Sequence, residues 1–386
     1  MGKGHKEGSK DYVIRVLNTP LDVDAAAWNS LLRNQENANP FMRHEYLAAL
    51  HESGCAVATT GWLPRLVTLW QDGALCAAAA LYIKNHSYGE YVFDWAWAQA
   101  FEQHGLRYYP KAVVAPPFTP VPGARLLACD AAARAALLQA LLGLCRQQQL
   151  SSLHILLANS DDLQAAQAAG MMQRHTVQFH WTNQDFTDFE GFLAALTQEK
   201  RKKIRAERRK VADAGVCFRA LNGQEITSAD WDFFYRCYER TYLEHGNPPY
   251  LNRDFFDRLG RSLAEHWVLF IGERAGEPIA ASLIALQGRV AYGRYWGALQ
   301  RVDSLHFEAC YYQPIQWCIA QGLHRFEGGA QGEHKMARAL MPVKTHSAHW
   351  VAHPAFADAI HRFLDREGQG IEHYLEALAA RSPFRP

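Results

Sequence analysis

The sequence predicts an α/β (α+β) chain built as two related lobes. Three observations carry that expectation. The 386 residues are long for one domain and comfortable for two. Helical periodicities and strand-like runs alternate from one end to the other. The succession helix, helix, strand, turn, strand, strand, helix, strand is legible twice, and Gln71-Asp72-Gly73 and Glu273-Arg274-Ala275-Gly276 mark the same hairpin in each copy. Only the order of elements repeats, not the residues. A division near residue 185 follows, with one lobe over 11–185 and the other over 186–386.

The elements follow in order. Residues 1–10 are polar and glycine-rich, lack the apolar stretch of a signal peptide, and read as a disordered tail. Asp11–Leu17 alternates as a strand. Val23–Asn34 is helical, with Asp24 as its cap, and Arg43–Ser53 is a second helix. Arg65–Gln71 and Gly73–Lys84 are strands, and Tyr88–Phe93 reads as another. Arg125–Leu127 is a short strand, Ala131–Gln149 a helix, Leu153–Leu157 a strand, Leu163–Ala169 a helix, and Thr176–Trp181 a strand. The second series has helices over Phe186–Leu196 and Lys200–Ala214, the latter closed by Gly215. Val216–Leu221 is a strand, and Trp231–Glu244 and Asn252–Ala264 are helices. Strands Trp267–Glu273, Ile279–Gln287 and Arg289–Trp296 precede the helix Phe307–Gly322. Arg325–Glu327 is a short strand, His349–Trp350 closes the sheet, and Ala355–Arg381 is helical.

Composition narrows the function. Hydrophobic residues are 49% and charged residues 20%, enough for a sizeable core. A net charge of +1 excludes a polyanion-binding surface over the whole protein, so any basic site is local. The eight cysteines form no CxxC pair and sit in apolar runs, the pattern of buried thiols in a reducing compartment. No apolar run has the length of a membrane span, so a cytoplasmic protein is expected. Walker A, GxGxxG, GxSxG and HExxH patterns are absent. Glu333-His334 and His346/His349 lack a partner at metal-ligand spacing, and no metal is expected.

Four segments carry chemistry. Lys200–Lys210 holds eight basic residues and one acid, leaving only an Ile204–Val211 line apolar. It reads either as a solvated helix face or as a phosphate-binding patch through Lys200, Arg201, Lys202, Lys203 and Arg205. Tyr292–Gly297 brackets Arg294, Tyr295 and Trp296 between glycines, the mark of a bulge or a close backbone approach. Ser304–Gln313 opens a helix with Ser304 as its cap, placing His306, Glu308, Tyr311 and Tyr312 near a helix N-terminus. Glu308 there is a candidate general base, or simply a stabiliser of the helix start. Phe326–Lys335 has three glycines in a row of polar residues (Glu327, Gln331, Glu333, His334, Lys335), as a substrate loop requires. In the first half, the aromatic-rich stretch Lys84–Trp97, with Tyr88, Asp94 and Trp95, and the stretch Tyr108–Pro120 suit a binding cleft or a lobe interface equally.

Several of these motifs resemble a known family. The basic helix ending in Ala214-Gly215-Val216, the Phe307–Leu323 helix, Arg325–Gly329 and Pro342–Lys344 resemble the FemABX aminoacyltransferases of the GNAT superfamily. Asn39–Tyr46, His86–Trp97, Lys200–Arg205 and Gly329–Lys335 are more closely similar to FemAB-like N-acyltransferases of Gram-negative bacteria, and this likeness spans nearly the whole chain. The resemblance implies tandem GNAT-like acyl-CoA N-acyltransferase lobes with mixed sheets flanked by helices. It implies an acyl-CoA or aminoacyl-tRNA co-substrate, no tightly bound cofactor, and an amine acceptor such as a small molecule, peptide or peptidoglycan precursor. The chain lacks the long helical-hairpin arm of FemABX enzymes after its basic helix, and the Q/RxxGxG/A loop of GNAT enzymes after Gly297. On this reading Glu308, or Glu333 with His334, takes the amine proton, and helix-end amides, or Arg294 and Lys335, stabilise the oxyanion. The basic helix holds donor phosphates. The alternative is a non-catalytic module of the same fold that binds a peptide, a cell-wall precursor or RNA.

Overall fold

A computed structural model describes residues 11–330 and 332–385; the expected tail 1–10 and the candidate Gln331 lie outside the described residues. Thirteen strands are found there: β1 (Val13–Leu17), β2 (Leu63–Gln71), β3 (Ala74–Lys84), β4 (Lys111–Val114), β5 (Leu127–Ala128), β6 (Ser152–Ile155), β7 (Met172–Thr182), β8 (Val216–Asn222), β9 (Trp267–Arg274), β10 (Glu277–Gln287), β11 (Val290–Ala298), β12 (Arg325–Ala330) and β13 (Met341–Val351). All belong to one mixed sheet with helices on its faces, the α/β class expected. The order is β1-β2-β3-β4-β6-β13-β7-β12-β11-β10-β9-β8, with β5 on β3.

Local chemistry accounts for most elements. The two hairpins turn on Asp72-Gly73 (φ 51 and 80°) and Ala275-Gly276 (φ 53 and 83°), paired positive-φ residues whose twist matches the flanking strands. Asp24 caps its helix by accepting from the Ala27 N–H at 2.7 Å. Helix Gln198–Asp213 buries only Ile204 and Val211, and Gly215 follows it at φ 75°. β3 is almost wholly buried and rich in alanine, because helix Ala131–Gln147 lies close against it.

Each half repeats one pattern: four strands in antiparallel succession, then a fifth running parallel to the fourth. In the first half β6 runs parallel to β4, in the second β12 runs parallel to β11. The last strands are exchanged. β7, from the first half, pairs with β12, whereas β13, from the second, inserts between β6 and β7. The halves also share a core: Phe41 meets Trp267 and Tyr292 edge-on, with centroids 6.2 and 5.6 Å apart.

Four expectations need correction. Tyr88–Phe93 is irregular, with Tyr91 at φ 63°, because Glu90 turns inward to buried lysines. His349–Trp350 is the end of an eleven-residue strand in the middle of the sheet rather than a closing edge. Helix Trp95–Gln103 and strand β4 lie in stretches read only as aromatic binding segments. Ser304 is no helix cap: it has φ 67° and makes no capping bond, and the helix begins with one turn, Leu305–Phe307, followed by a π-helical turn, Glu308–Tyr312.

Candidate active site

The site arises where the parallel pair in the second half comes apart. β11 and β12 are bonded only over Val290–Tyr292 and Arg325–Glu327. Beyond Tyr292 and Glu327 their facing edges are no longer paired to each other. A bulge against β10 falls at the same place: Gly293 stands opposite Ile284 and Tyr295 opposite Leu283, so Arg294 is the extra residue. β11 then runs close under helix Ser228–Glu244. A Cβ on Gly297 would lie 1.9 Å from the Cys237 carbonyl oxygen, and Thr241 donates to the Trp296 carbonyl at 3.0 Å.

A cavity of about 270 Å³ opens in the parting, walled by Ser282, Tyr295, Trp296, His306 and Tyr311. The π-helical turn is fastened there by Ser282, whose hydroxyl donates to the Ala309 carbonyl at 2.5 Å. A second cavity of about 920 Å³ lies between the halves. Its walls come from Tyr91, Phe93 and Pro120 of the first half, from β7 (Thr176–Phe179), and from Tyr250, Glu327 and Tyr374. The two cavities adjoin, sharing Tyr242, Gly293, Arg294 and Gly328 in their walls. In the first half Gly123 bridges Ala158 beyond β6, and the fully buried Arg125 donates to the Leu156 carbonyl at 2.7 Å.

Glu327 is the last residue of β12 paired with β11 and borders the large cavity. Burial pushes its carboxyl up to about 7, against the pull of Arg325 at 3.0 Å. Its Oε2 is enclosed and lacks a hydrogen-bond partner. His180, 3.9 Å from that oxygen, is driven down to about 3 by burial and then by the charges of Arg325 and Lys335, so it is neutral at pH 7. Lys335 donates to the carbonyls of Gly328 (2.6 Å) and Gly329 (3.3 Å), and burial lowers it to about 8. It tethers the glycine loop.

The expected site residues divide into two groups. Arg294, Tyr295, Trp296, His306 and Tyr311 come together in the small cavity, and Glu327 joins Arg294 in the large one. His334 lines neither cavity but lies 3.4 Å from the Tyr311 hydroxyl; burial, Arg338, Lys335 and Lys203 all lower its pKa. The others face elsewhere. Glu308 is held by Arg208 at 3.0 Å and by Gln313 at 2.7 Å, outside both cavities. Glu333 is exposed, bonded to Tyr374 and Arg381 at 3.0 Å each. Tyr312 donates to Glu207, which also pairs with Arg338. Asp94 is buried, and although desolvation opposes it, Lys111 and His154 hold its pKa below the carboxylate range. Tyr88 and Trp95 are exposed, their rings 5.0 Å apart. In the basic helix Lys200 pairs with Glu199, Arg201 reaches the Ala194 carbonyl, and Arg205 pairs with Glu190. Lys202 and Lys203 are exposed, and none of these five cations lines either cavity.

Gln178, Phe179, Tyr242, Tyr250 and Tyr374 line the cavities but belong to none of the candidate segments. Tyr242 had a signal, the aromatic face of its helix, which reads as core. The β7 residues had none, since only the strand exchange brings them to the site. Among the described residues no group of three or more His, Cys, Asp or Glu is arranged to hold a metal, and no helix is long and apolar enough to cross a membrane.

Comparison with known proteins agrees with this fold. A FemAB-like family model, described as peptidoglycan biosynthesis/recognition, matches residues 20–386. No curated protein sequence matches. Among solved structures, FemX superposes with a TM-score of 0.55 at 10% identity, covering 90% of this chain and 100% of its own. The C-terminal domain of a putative lysylphosphatidylglycerol synthetase from Agrobacterium fabrum gives 0.55 at 10% identity, covering 90% of this chain and 97% of its own. L-PGS from Bacillus licheniformis gives 0.51 at 12%, covering 89% and 97%. At these identities the likeness is one of fold.

Proposed function

This chain belongs to the FemAB-like family, and from that premise we propose that it is an N-acyltransferase or aminoacyltransferase. It moves an acyl or aminoacyl group from acyl-CoA or aminoacyl-tRNA onto an amine, in a peptide or peptidoglycan precursor. The same premise supports treating 11–185 and 186–386 as two related lobes that exchange their last strands. The donor's carbonyl sits in the parting of β11 and β12, and the acceptor approaches through the large cavity.

One observation carries the reading: a carboxyl with a pKa near 7 and an unpartnered oxygen stands beside the junction of two cavities. Glu327, ionised, takes a proton from the acceptor's ammonium and so frees the amine lone pair. The amine nitrogen bonds to the carbonyl carbon and the oxyanion meets main-chain N–H groups along the edge of β11 not paired to β12; the C–S or C–O bond then breaks, and the thiol or ribose hydroxyl leaves with the proton given up by that nitrogen. Lys335 keeps the glycine loop in place. Lys203, whose charge reaches His334, is one cation of the basic helix that would meet donor phosphates.

The test is mass spectrometry of acceptor amines incubated with the protein and either acyl-CoAs or charged tRNAs. A product with one donor class and its loss in Glu327→Gln are expected. Ligand binding without turnover under both donors would instead favour the non-catalytic module.

A further inference from the structure

Arg294 is a half-buried cation without a carboxylate partner among the described residues. Its Nη2 donates to the Phe118 carbonyl at 2.9 Å and lies 3.0 Å from the Tyr295 hydroxyl. Its guanidinium sits 5.1 Å from the Phe41 ring centroid and 4.7 Å from that of Tyr295. Its Nε is enclosed with no hydrogen-bond partner, and no carboxylate among the described residues pairs with it. Two buried arginines are matched with acids, Arg338 with Glu207 at 2.8 Å and Arg134 with Asp162 at 3.3 Å, whereas the fully buried Arg125 is met by the carbonyls of Leu156, Ala124 and Val121 and leaves no side-chain nitrogen without a partner. A guanidinium cannot shed its proton, so enclosure without a counterion is costly, and aromatic faces offset only part of that cost. The unmatched charge stands where the two cavities meet.

The surrounding charges define the missing partner. Of the acids lining the large cavity, Glu367 is already held by Arg174 at 2.8 Å, and Glu327 is the proposed base. His175, also on its wall, has its pKa lowered by burial. Among the described residues of that wall Arg294 is thus the single arginine or lysine, beside His175 and His245. One positive charge suits a monoanion; a phosphate dianion would stand uncompensated near Glu327. We infer that Arg294 receives the carboxylate of the acyl acceptor, so that the acceptor is an amine that also bears a free carboxylate, an amino acid or a short peptide. The inference rests on the proposed transfer reaction for the word acceptor, but the carboxylate site itself is measurable without turnover.

The experiment titrates the full-length protein with acetate, inorganic phosphate or chloride at matched ionic strength and follows the thermal midpoint. Acetate is expected to raise the midpoint saturably and beyond the other two anions. Arg294→Met should abolish that gain, whereas Glu327→Gln should keep it. Should Arg294→Met fail to fold, Arg294→Lys must weaken acetate binding by about tenfold, because it keeps the charge and loses the fork. In the transfer assay, L-lysine should then be preferred over L-lysinamide, a preference that collapses in Arg294→Lys. Acetate no better than chloride, phosphate better than acetate, or an acetate gain that survives Arg294→Met would each overturn the inference. Absence of transfer with intact acetate binding would overturn the transferase reading alone.

Discussion

Glu327 and Lys111 illustrate two uses of a buried charge. Glu327 has a raised pKa because it is enclosed and only partly compensated. As a base it must be ionised, so kcat/KM should rise with pH through about 7, and Glu327→Gln should lose both that limb and most of the rate; a pH-independent rate would remove the role. Stability runs the other way. The folded chain holds this proton more tightly than the unfolded chain, whose value is the ordinary 4.5. The stabilisation is complete below 4.5 and is lost as pH rises through about 7. Lys111 is fully buried, bonded to Glu90 at 2.8 Å, to Ser87 at 2.8 Å and to Asp94. Lys84 lies 3.7 Å from Glu90 and 3.3 Å from the centroid of the Trp62 ring. These contacts pin the irregular segment that carries Tyr91 and Phe93 to the large cavity. Lys111→Met should cost roughly 3–5 kcal/mol in denaturant unfolding, because it takes the cation from buried Asp94 and leaves buried Glu90 only the more distant Lys84. The aromatic richness of Lys84–Trp97 was plain in the sequence. That Asp94 faces a lysine rather than a substrate was not, because Lys111 reaches it from another strand.

The working element is the β11–β12 pair with its bulge. Glycines at 293 and 297 announce an irregular strand, and the structure gives each a cause. Gly297 lets β11 pass under helix Ser228–Glu244, and Gly293 begins the bulge that sets Arg294 at the junction. Gly297→Ala should destabilise by about 1–3 kcal/mol, since main-chain atoms must move to admit the methyl. A thermal midpoint equal to wild type would show that the helix yields freely. The helix after β11 was legible in the sequence, but its π-helical turn was not. That turn directs Glu308 toward Arg208 and leaves Tyr311 and His306 on the cavity wall. A change of one residue in helical register decides which face a side chain occupies, and periodicity alone does not resolve it.

On the scale of the whole molecule, the exchange of β7 and β13 makes the two halves one sheet. Chains ending at 185 and beginning at 186 each lack a strand that the other supplies. Expressed apart, neither should melt cooperatively; mixed or co-expressed, they should restore one transition. Independent cooperative melting of both halves would show that the exchanged strands are dispensable. The sequence by itself determined the class, the repeated order of elements, both hairpins, the helix caps at Asp24 and Gly215, and the region from Tyr292 to Lys335 as the place to look. Those signals are local: turn residues, capping pairs and apolar spacing act within a few positions along the chain. Only the tertiary structure decided that β13 lies mid-sheet, that β7 and the Tyr91 segment wall the large cavity, and that Glu327 rather than Glu308 is the enclosed, under-compensated acid. Each depends on residues far apart in the chain, because strand partners and desolvation are set by whatever else the fold brings to the same place.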